Sequence, residues 1–224
     1  MGLISELKEL VNSAREKDPA ATNAFEIIMT YSGVHAIVNH RIANWMFRHR
    51  IPFVPRWISQ FSRFITGIEI HPGATIGKRL FIDHGMGLVI GETSEVGDDV
   101  TIFQGVTMGG TGKEKGKRHP TIGDGTIISA GAKVLGSIEI GKNVIIGAGA
   151  VVINSVSDNC TVVGVPGKVV RVGGEKVLSD AAHRMHLPDP VSDILSDVSA
   201  RIAELEKQLK NQHKKDKRRK RVED

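Results

Sequence analysis

The sequence predicts an α+β chain: an N-terminal helical region, then a parallel β-helix built from six-residue repeats, then a C-terminal helix. Three observations carry that expectation. An aliphatic residue recurs at every sixth position from Ile122 through Ile128, Val134, Ile140 and Ile146 to Val152. The same period runs upstream through Ile70, Ile76, Ile82 and Leu88, shifts by two, and resumes as Ile90, Val96, Ile102 and Met108. The 224 residues include 25 Gly but only 7 Phe, 2 Trp and 1 Tyr, so the core is filled by aliphatic side chains. A period of six fits neither a helix at about 3.6 residues per turn nor an alternating strand, but it fits a coil with three flat faces. Gly or Asn at the corners takes the positive φ that other residues resist. Eighteen residues then close one turn, which stacks Ile122 under Ile140, Ile128 under Ile146 and Val134 under Val152.

The helical region spans residues 1–67. Leu3, Leu7, Leu10 and Val11 mark an apolar face on residues 3–16, and Asp18-Pro19 reads as an N-cap with a first-turn proline. Helical segments are expected over 19–31, 34–49 and 55–66, broken at Gly33 and at Pro52 and Pro55. The β-helix is assigned to 68–173. Between Met108 and Ile122 the spacing is fourteen, so the Gly- and Lys-rich stretch 109–121 loops out of the coil. Loops on a rigid scaffold commonly carry function. Residues 174–224 hold a second cap at Asp189-Pro190 and a seam of Val191, Leu195, Val198, Ile202, Leu205 and Leu209 at coiled-coil spacing. A basic tail, expected to be disordered, ends the chain.

Composition narrows the function classes. The first residues carry no secretory signal pattern and no stretch approaches 18 consecutive apolar residues, so a cytoplasmic protein without a membrane span is expected. The single cysteine, Cys160, suits a reducing compartment and reads as a small packed hydrophobe. Lys207–Asp224 holds nine basic and three acidic side chains, a balance of +6 that leaves the rest of a +5 chain near −1. A basic stripe for nucleic acid across the folded body is not implied.

Two constellations could carry chemistry. His84 follows Asp83 in FIDHGMG and lies fifteen residues after Glu69, an offset that brings the two to nearby corners of adjacent coils. A carboxylate bonded to one imidazole nitrogen fixes the tautomer and frees the other nitrogen to take a proton, the logic of a base activating a hydroxyl. The second is Arg118-His119 at the end of the extruded loop, after GGTGK at 109–113. Arginine offers a two-pronged clamp for a carboxylate.

The stretches EIHPGATIG, DHGMGLVIGET, TMGGTGK, RHPTIGDG, IGAGAVV and GVPGKVV resemble the serine O-acetyltransferase family of hexapeptide-repeat acyltransferases, from about Asp18 to Gly173. The resemblance implies a left-handed coil and acetyl transfer from acetyl-CoA to the hydroxyl of L-serine, the first step of cysteine biosynthesis, with feedback inhibition by cysteine. It implies His84 as catalytic base and Glu69 as its paired carboxylate, where the family commonly has Asp. Asp18, Asp83, Arg118 and His119 would bind the ammonium and carboxylate of serine. Gly110, Ala130 and Ala148 would line the acetyl-CoA channel, with Lys168 touching phosphate; no metal is expected. Longer members join two trimers into a hexamer through an extended helical region. With about 67 residues before the repeats, a homotrimer is expected here, the hexamer second. The chain ends Arg221-Val222-Glu223-Asp224 rather than in isoleucine, so the complex with O-acetylserine sulfhydrylase is not expected.

Three other readings stay open at this point. Another hexapeptide O-acetyltransferase would act on a sugar or small alcohol, although the Asp83, Arg118 and His119 set favours an amino acid. A zinc enzyme of the γ-carbonic anhydrase type would use His71, His84 and His119, although its close-spaced histidine pair is absent. A trimeric scaffold whose tail binds nucleic acid would show salt-sensitive, nonspecific binding.

Overall fold

The computed structural model describes residues 2–112 and 115–176, together with Val198, Arg201, Ile202 and Leu205. The chain divides into two compact units, Met1–Ala182 and His183–Asp224. In the second unit Val198, Arg201, Ile202 and Leu205 are helical and exposed. The rest of the seam at 189–209 and the basic tail lie outside the described residues.

The first unit opens with four helices. α1 (Leu3–Lys17) buries Leu10, Val11 and Ala14. α2 (Ala24–Thr30) starts later than residue 19, because Asp18 is committed to a turn. Its Oδ1 accepts from Ala20 N at 2.8 Å, and Asn23, whose side chain accepts from Glu26 N at 2.9 Å, is the N-cap instead. α3 (Ser32–Arg48) includes Gly33 as a helical residue rather than a break. A Cβ there would stand 2.6 Å from the Ile82 carbonyl oxygen, so glycine is what lets α3 lie against the coil. α4 (Val54–Thr66) carries Pro55 in its first turn and ends at Gly67 with φ of 72°.

Residues 69–163 wind as a parallel three-faced coil. The first face stacks Glu69–Ile70, Val89–Ile90, Thr107–Gly109, Lys133–Leu135 and Val151–Val152, which counts five turns. The expected stacking holds: Ile122 pairs with Ile140, Ile128 with Ile146 and Val134 with Val152. All of these are at most 2% exposed, and among the described residues Phe81 is the one aromatic side chain in the buried hydrophobic core. The two-residue shift seen in the sequence has a structural meaning. Ile70 pairs with Ile90, a twenty-residue turn, and the surplus lodges at the edge between the third and first faces, in the segment holding His84. Past the fifth turn, Cys160–Val163 pairs antiparallel with Lys168–Val172, which pairs in turn with Glu175–Lys176. This terminal hairpin was not expected from the repeat.

Within the coil, each turn's N–H groups donate to carbonyls of the next, as Glu69 N does to Leu88 O and Thr75 N to Ser94 O. The first turn therefore has carbonyls that no earlier turn satisfies. The helices supply the donors. Ser59 Oγ reaches Ile70 O at 2.7 Å, Asn44 Nδ2 reaches Pro72 O at 2.7 Å and Ala74 O at 3.1 Å, and Arg41 reaches Ile76 O and Gly77 O at 2.5 and 2.6 Å. This capping turns α4 inside out by ordinary amphipathic standards. Ser59, Ser62 and Thr66 face inward while Trp57, Phe61, Phe64 and Ile65 are exposed.

Candidate active site

Two edges of the coil collect the residues singled out in the sequence. The first, between the third and first faces, carries His84 in the left-handed region at φ of 58°. Non-glycine residues enter that region at a cost of roughly 1–2 kcal/mol, and such strain concentrates at functional positions. The turn throws the imidazole outward, with 77% of the side chain exposed, and sets Nε2 3.8 Å from Asp83 Oδ1. Ser32 Oγ donates to the His84 carbonyl at 3.1 Å and ties the corner to α3.

Asp18 approaches the same edge from the end of α1. Its Oδ2 accepts from Tyr31 OH at 2.6 Å. That bond, with the one from Ala20 N and the nearby His84, holds the Asp18 carboxyl below its usual range. The same bond pushes the Tyr31 hydroxyl up to about 12. Further along this edge, Gly149 N donates to Ala130 O at 2.9 Å, and Ala148 precedes it one turn on. A Cβ built at Gly131 or Gly149 would meet nothing within 4 Å, so a shallow track of small residues runs from His84 past Ala130 and Ala148. Lys168 is exposed on the terminal hairpin.

Glu69 begins the first face beside this edge, yet no hydrogen bond joins it to His84. Arg56 and Gln60 hold Oε1 at 3.0 and 3.1 Å, and Arg63 holds Oε2 at 3.1 Å. All three come from α4, whose inward serines bring that helix close to the strand.

The second edge, between the first and second faces, carries the extruded loop. Arg118 forms an ion pair with Glu92 through Nη2, which holds the Glu92 carboxyl below its usual range. Gly110 packs here, where a Cβ would be 3.2 Å from Arg118 O. His119 is only 8% exposed, and Thr93 contacts both its backbone N–H and its Nδ1. Burial, followed by the Arg118 charge, pushes the His119 imidazole down, and burial does the same at His71. An open cleft of about 390 Å³ beside this cluster is walled by Phe47, Thr75, Glu92, Thr93, Glu95 and Lys117. It belongs to the loop edge and does not include His84. Lys113 and Glu114 lie outside the described residues.

Asp18, Asp83, His84, Ala130 and Ala148 thus share one edge, and Gly110, Arg118 and His119 share another. One hexapeptide face separates them, on the order of 15–20 Å at about 3.3 Å per residue. The sequence reading missed Tyr31, Glu92 and Thr93. Glu92-Thr93 stands within the quoted GET stretch, but its pairing with residues 118–119 is hidden by the loop between them. Among the described residues no three His, Cys, Asp or Glu side chains converge as a metal site, and no helix is long and apolar enough to cross a membrane.

Residues 119–154 match the model of the bacterial transferase hexapeptide (six repeats). A serine acetyltransferase of Bacillus subtilis (strain 168) is 57% identical over 92% of this chain and 94% of its own length. The crystal structure of the Vibrio cholerae serine acetyltransferase aligns with a TM-score of 0.74 at 39% identity, covering 80% of this chain and 67% of that one. The Brucella abortus enzyme in complex with coenzyme A gives 0.73 at 40%, covering 79% and 69%. A serine acetyltransferase in complex with cysteine gives 0.74 at 39%, covering 75% and 70%. With a coil of six-residue repeats, the His84 and Arg118-His119 edges, and this identity over nearly the full length of a relative, the chain belongs to the serine acetyltransferase family.

Proposed function

We propose that the chain transfers acetyl from acetyl-CoA to the hydroxyl of L-serine at a site made by two copies, the His84 edge of one and the loop edge of the next, in a cyclic homotrimer. The observation that carries this reading is the width of the first face. A serine molecule spans a few ångströms, far less than the distance between Asp18 and Arg118 edges of one chain. A heterologous contact repeated around a threefold axis closes the ring and brings each edge against its complement.

In this reading Asp18 and Asp83 hold the serine ammonium, and Arg118 and His119 hold the carboxylate side. The Tyr31 bond, which holds the Asp18 carboxyl below its usual range, suits Asp18 to a cation. His84 takes the hydroxyl proton as serine oxygen attacks the thioester carbonyl. A backbone N–H near Gly110 stabilises the oxyanion. The intermediate expels CoA thiolate, which recovers the proton from His84. The small-residue track past Ala130 and Ala148 accommodates the pantetheine arm, and Lys168 meets a phosphate. Glu69 orients the His84 imidazole, for which it must exchange Gln60 or an arginine of α4 for the ring. Cysteine carries the same ammonium and carboxylate as serine and competes for them, giving feedback inhibition. A cytoplasmic location fits the single thiol.

The test is release of CoA thiol from acetyl-CoA with and without L-serine, for wild type and His84→Ala. General-base assistance is worth about 10²–10⁴-fold, so serine-dependent release should fall by that factor. Near-full turnover in the variant would refute the assignment.

A further inference from the structure

The Thr93 hydroxyl at the loop edge has every bond it can make. Its oxygen accepts from the backbone N–H of Arg118 at 3.0 Å and from that of His119 at 3.1 Å. With both lone pairs engaged, a threonine hydroxyl has one proton left to give. That proton meets His119 Nδ1, 2.9 Å away. The backbone N–H of Thr93 points at the same nitrogen from 3.2 Å. A ring nitrogen receiving two donors keeps its lone pair, so the neutral ring carries its hydrogen on Nε2.

Nε2 makes no hydrogen bond among the described residues, and it is not among the sealed, unpartnered polar atoms. The Cδ2–Nε2 side of the ring packs against Gly91, where a Cβ would stand 2.0 Å from Cδ2 and 2.2 Å from Nε2. Protonating the ring would set a new Nδ1–H against two donors. Burial, Arg118 and Lys117 oppose the added charge, Glu92 favours it, and the neighbouring His71 repels it.

We infer that Thr93 is a positioning residue that holds His119 as a neutral imidazole with its proton on Nε2, making it a hydrogen-bond donor to a substrate oxygen and reserving proton abstraction for His84. The inference rests on the proposed place of His119 in the serine site. It gives a physical reason for the different parts of His84 and His119.

Nitrogen-15 NMR of histidine-labelled protein reads the tautomer directly, without substrate. Wild type should show His119 with Nδ1 unprotonated and Nε2 protonated across neutral pH, and Thr93→Ser should keep that signature. Thr93→Val removes the hydroxyl and should mix the tautomers while lowering kcat/KM for serine by about tenfold or more, a fraction of the roughly 10²–10³ that loss of an aligned donor costs. Thr93→Ser should restore activity to near wild type. A proton on Nδ1 in wild type would overturn the inference, and so would an unchanged His119 spectrum in Thr93→Val. The inferred tautomer together with full activity in both Thr93→Val and His119→Ala would instead remove His119 from the serine site.

Discussion

A mixture of two inactive variants should regain activity. His84→Ala removes the proposed base from one edge, and Arg118→Ala removes the proposed carboxylate clamp from the other. On a single chain these groups stand a face apart, on the order of 15–20 Å, so neither variant alone can form a complete site. If each site joins the His84 edge of one copy to the loop edge of the next, a mixed trimer can place an intact His84 beside an intact Arg118. Each contact needs an Arg118→Ala chain on the His84 side and a His84→Ala chain on the loop side. Random assembly from equal amounts satisfies both conditions at about one contact in four in a heterologous ring. The assay is serine-dependent CoA release after the two variants are unfolded together and refolded, or produced together in one cell. Recovery near a quarter of the wild-type rate per chain is expected, against the residual rates of the parents refolded separately. Folding is not at stake for His84→Ala, since 77% of that side chain is exposed. Recovery no greater than the mean of the parents would refute a shared site and return both edges to one chain.

Four further outcomes follow from the geometry. Asn44→Ala strands the Pro72 and Ala74 carbonyls at the start of the coil; a loss of about 1–3 kcal/mol is expected, read as a fall in thermal midpoint of roughly 2–4 °C per kcal/mol, and an unchanged midpoint would show that water replaces the cap. Tyr31→Phe removes the bond that holds the Asp18 carboxyl down, so an NMR titration should find Asp18 nearer the ordinary carboxylate range and KM for serine should rise more than kcat falls. His40 is 3% exposed and burial pushes its imidazole down to about 3 from 6.5. The unfolded chain binds that proton and the folded chain does not, so stability is complete above about pH 6.5 and falls as pH drops toward 3. That amounts to about 2 kcal/mol between pH 6.5 and 5, and denaturant midpoints at pH 7 and 5 should converge in His40→Leu relative to wild type. Finally, Glu69→Gln keeps the size of the side chain and removes its charge, so serine-dependent CoA release should fall if Glu69 orients the His84 ring; a loss confined to Asp83→Asn would transfer the orienting role to the residue 3.8 Å from Nε2.

What the sequence makes legible is what the repeat controls. A six-residue period fixes which side chains enter the core, because each inward aliphatic must sit on another one turn away, and the pairs Ile122–Ile140 and Val134–Val152 follow from counting alone. Interruptions of the period are equally readable as places where the chain leaves the coil. The fourteen-residue step before Ile122 is the loop carrying Arg118, and the two surplus residues between Ile82 and Ile90 form the corner that throws out His84. What counting cannot supply is the partnership of polar side chains across an interruption. Thr93 and His119 are 26 residues apart, and the loop between them breaks the register that would have stacked them. The Asp18 turn escaped for a related reason: Asp-Pro fits a helix start, but Asp18 gives one oxygen to Ala20 and the other to Tyr31.

The helices show the same limit from the other side. An amphipathic reading would send the aromatic side chains of α4 inward, since burying them gains the most. The first turn of the coil makes a competing demand, because a buried carbonyl left without a donor costs about 1–3 kcal/mol. Ser59 answers it at Ile70 O, while Trp57, Phe61, Phe64 and Ile65 remain outside. The inward helix face also sets the aim of its flanks. Arg56, Gln60 and Arg63 reach Glu69 because Ser59 and Ser62 bring α4 within a short side chain of the strand. Capping the coil and restraining the Glu69 carboxylate are therefore one structural event, and substitutions on the inward face of α4 should alter both stability and turnover.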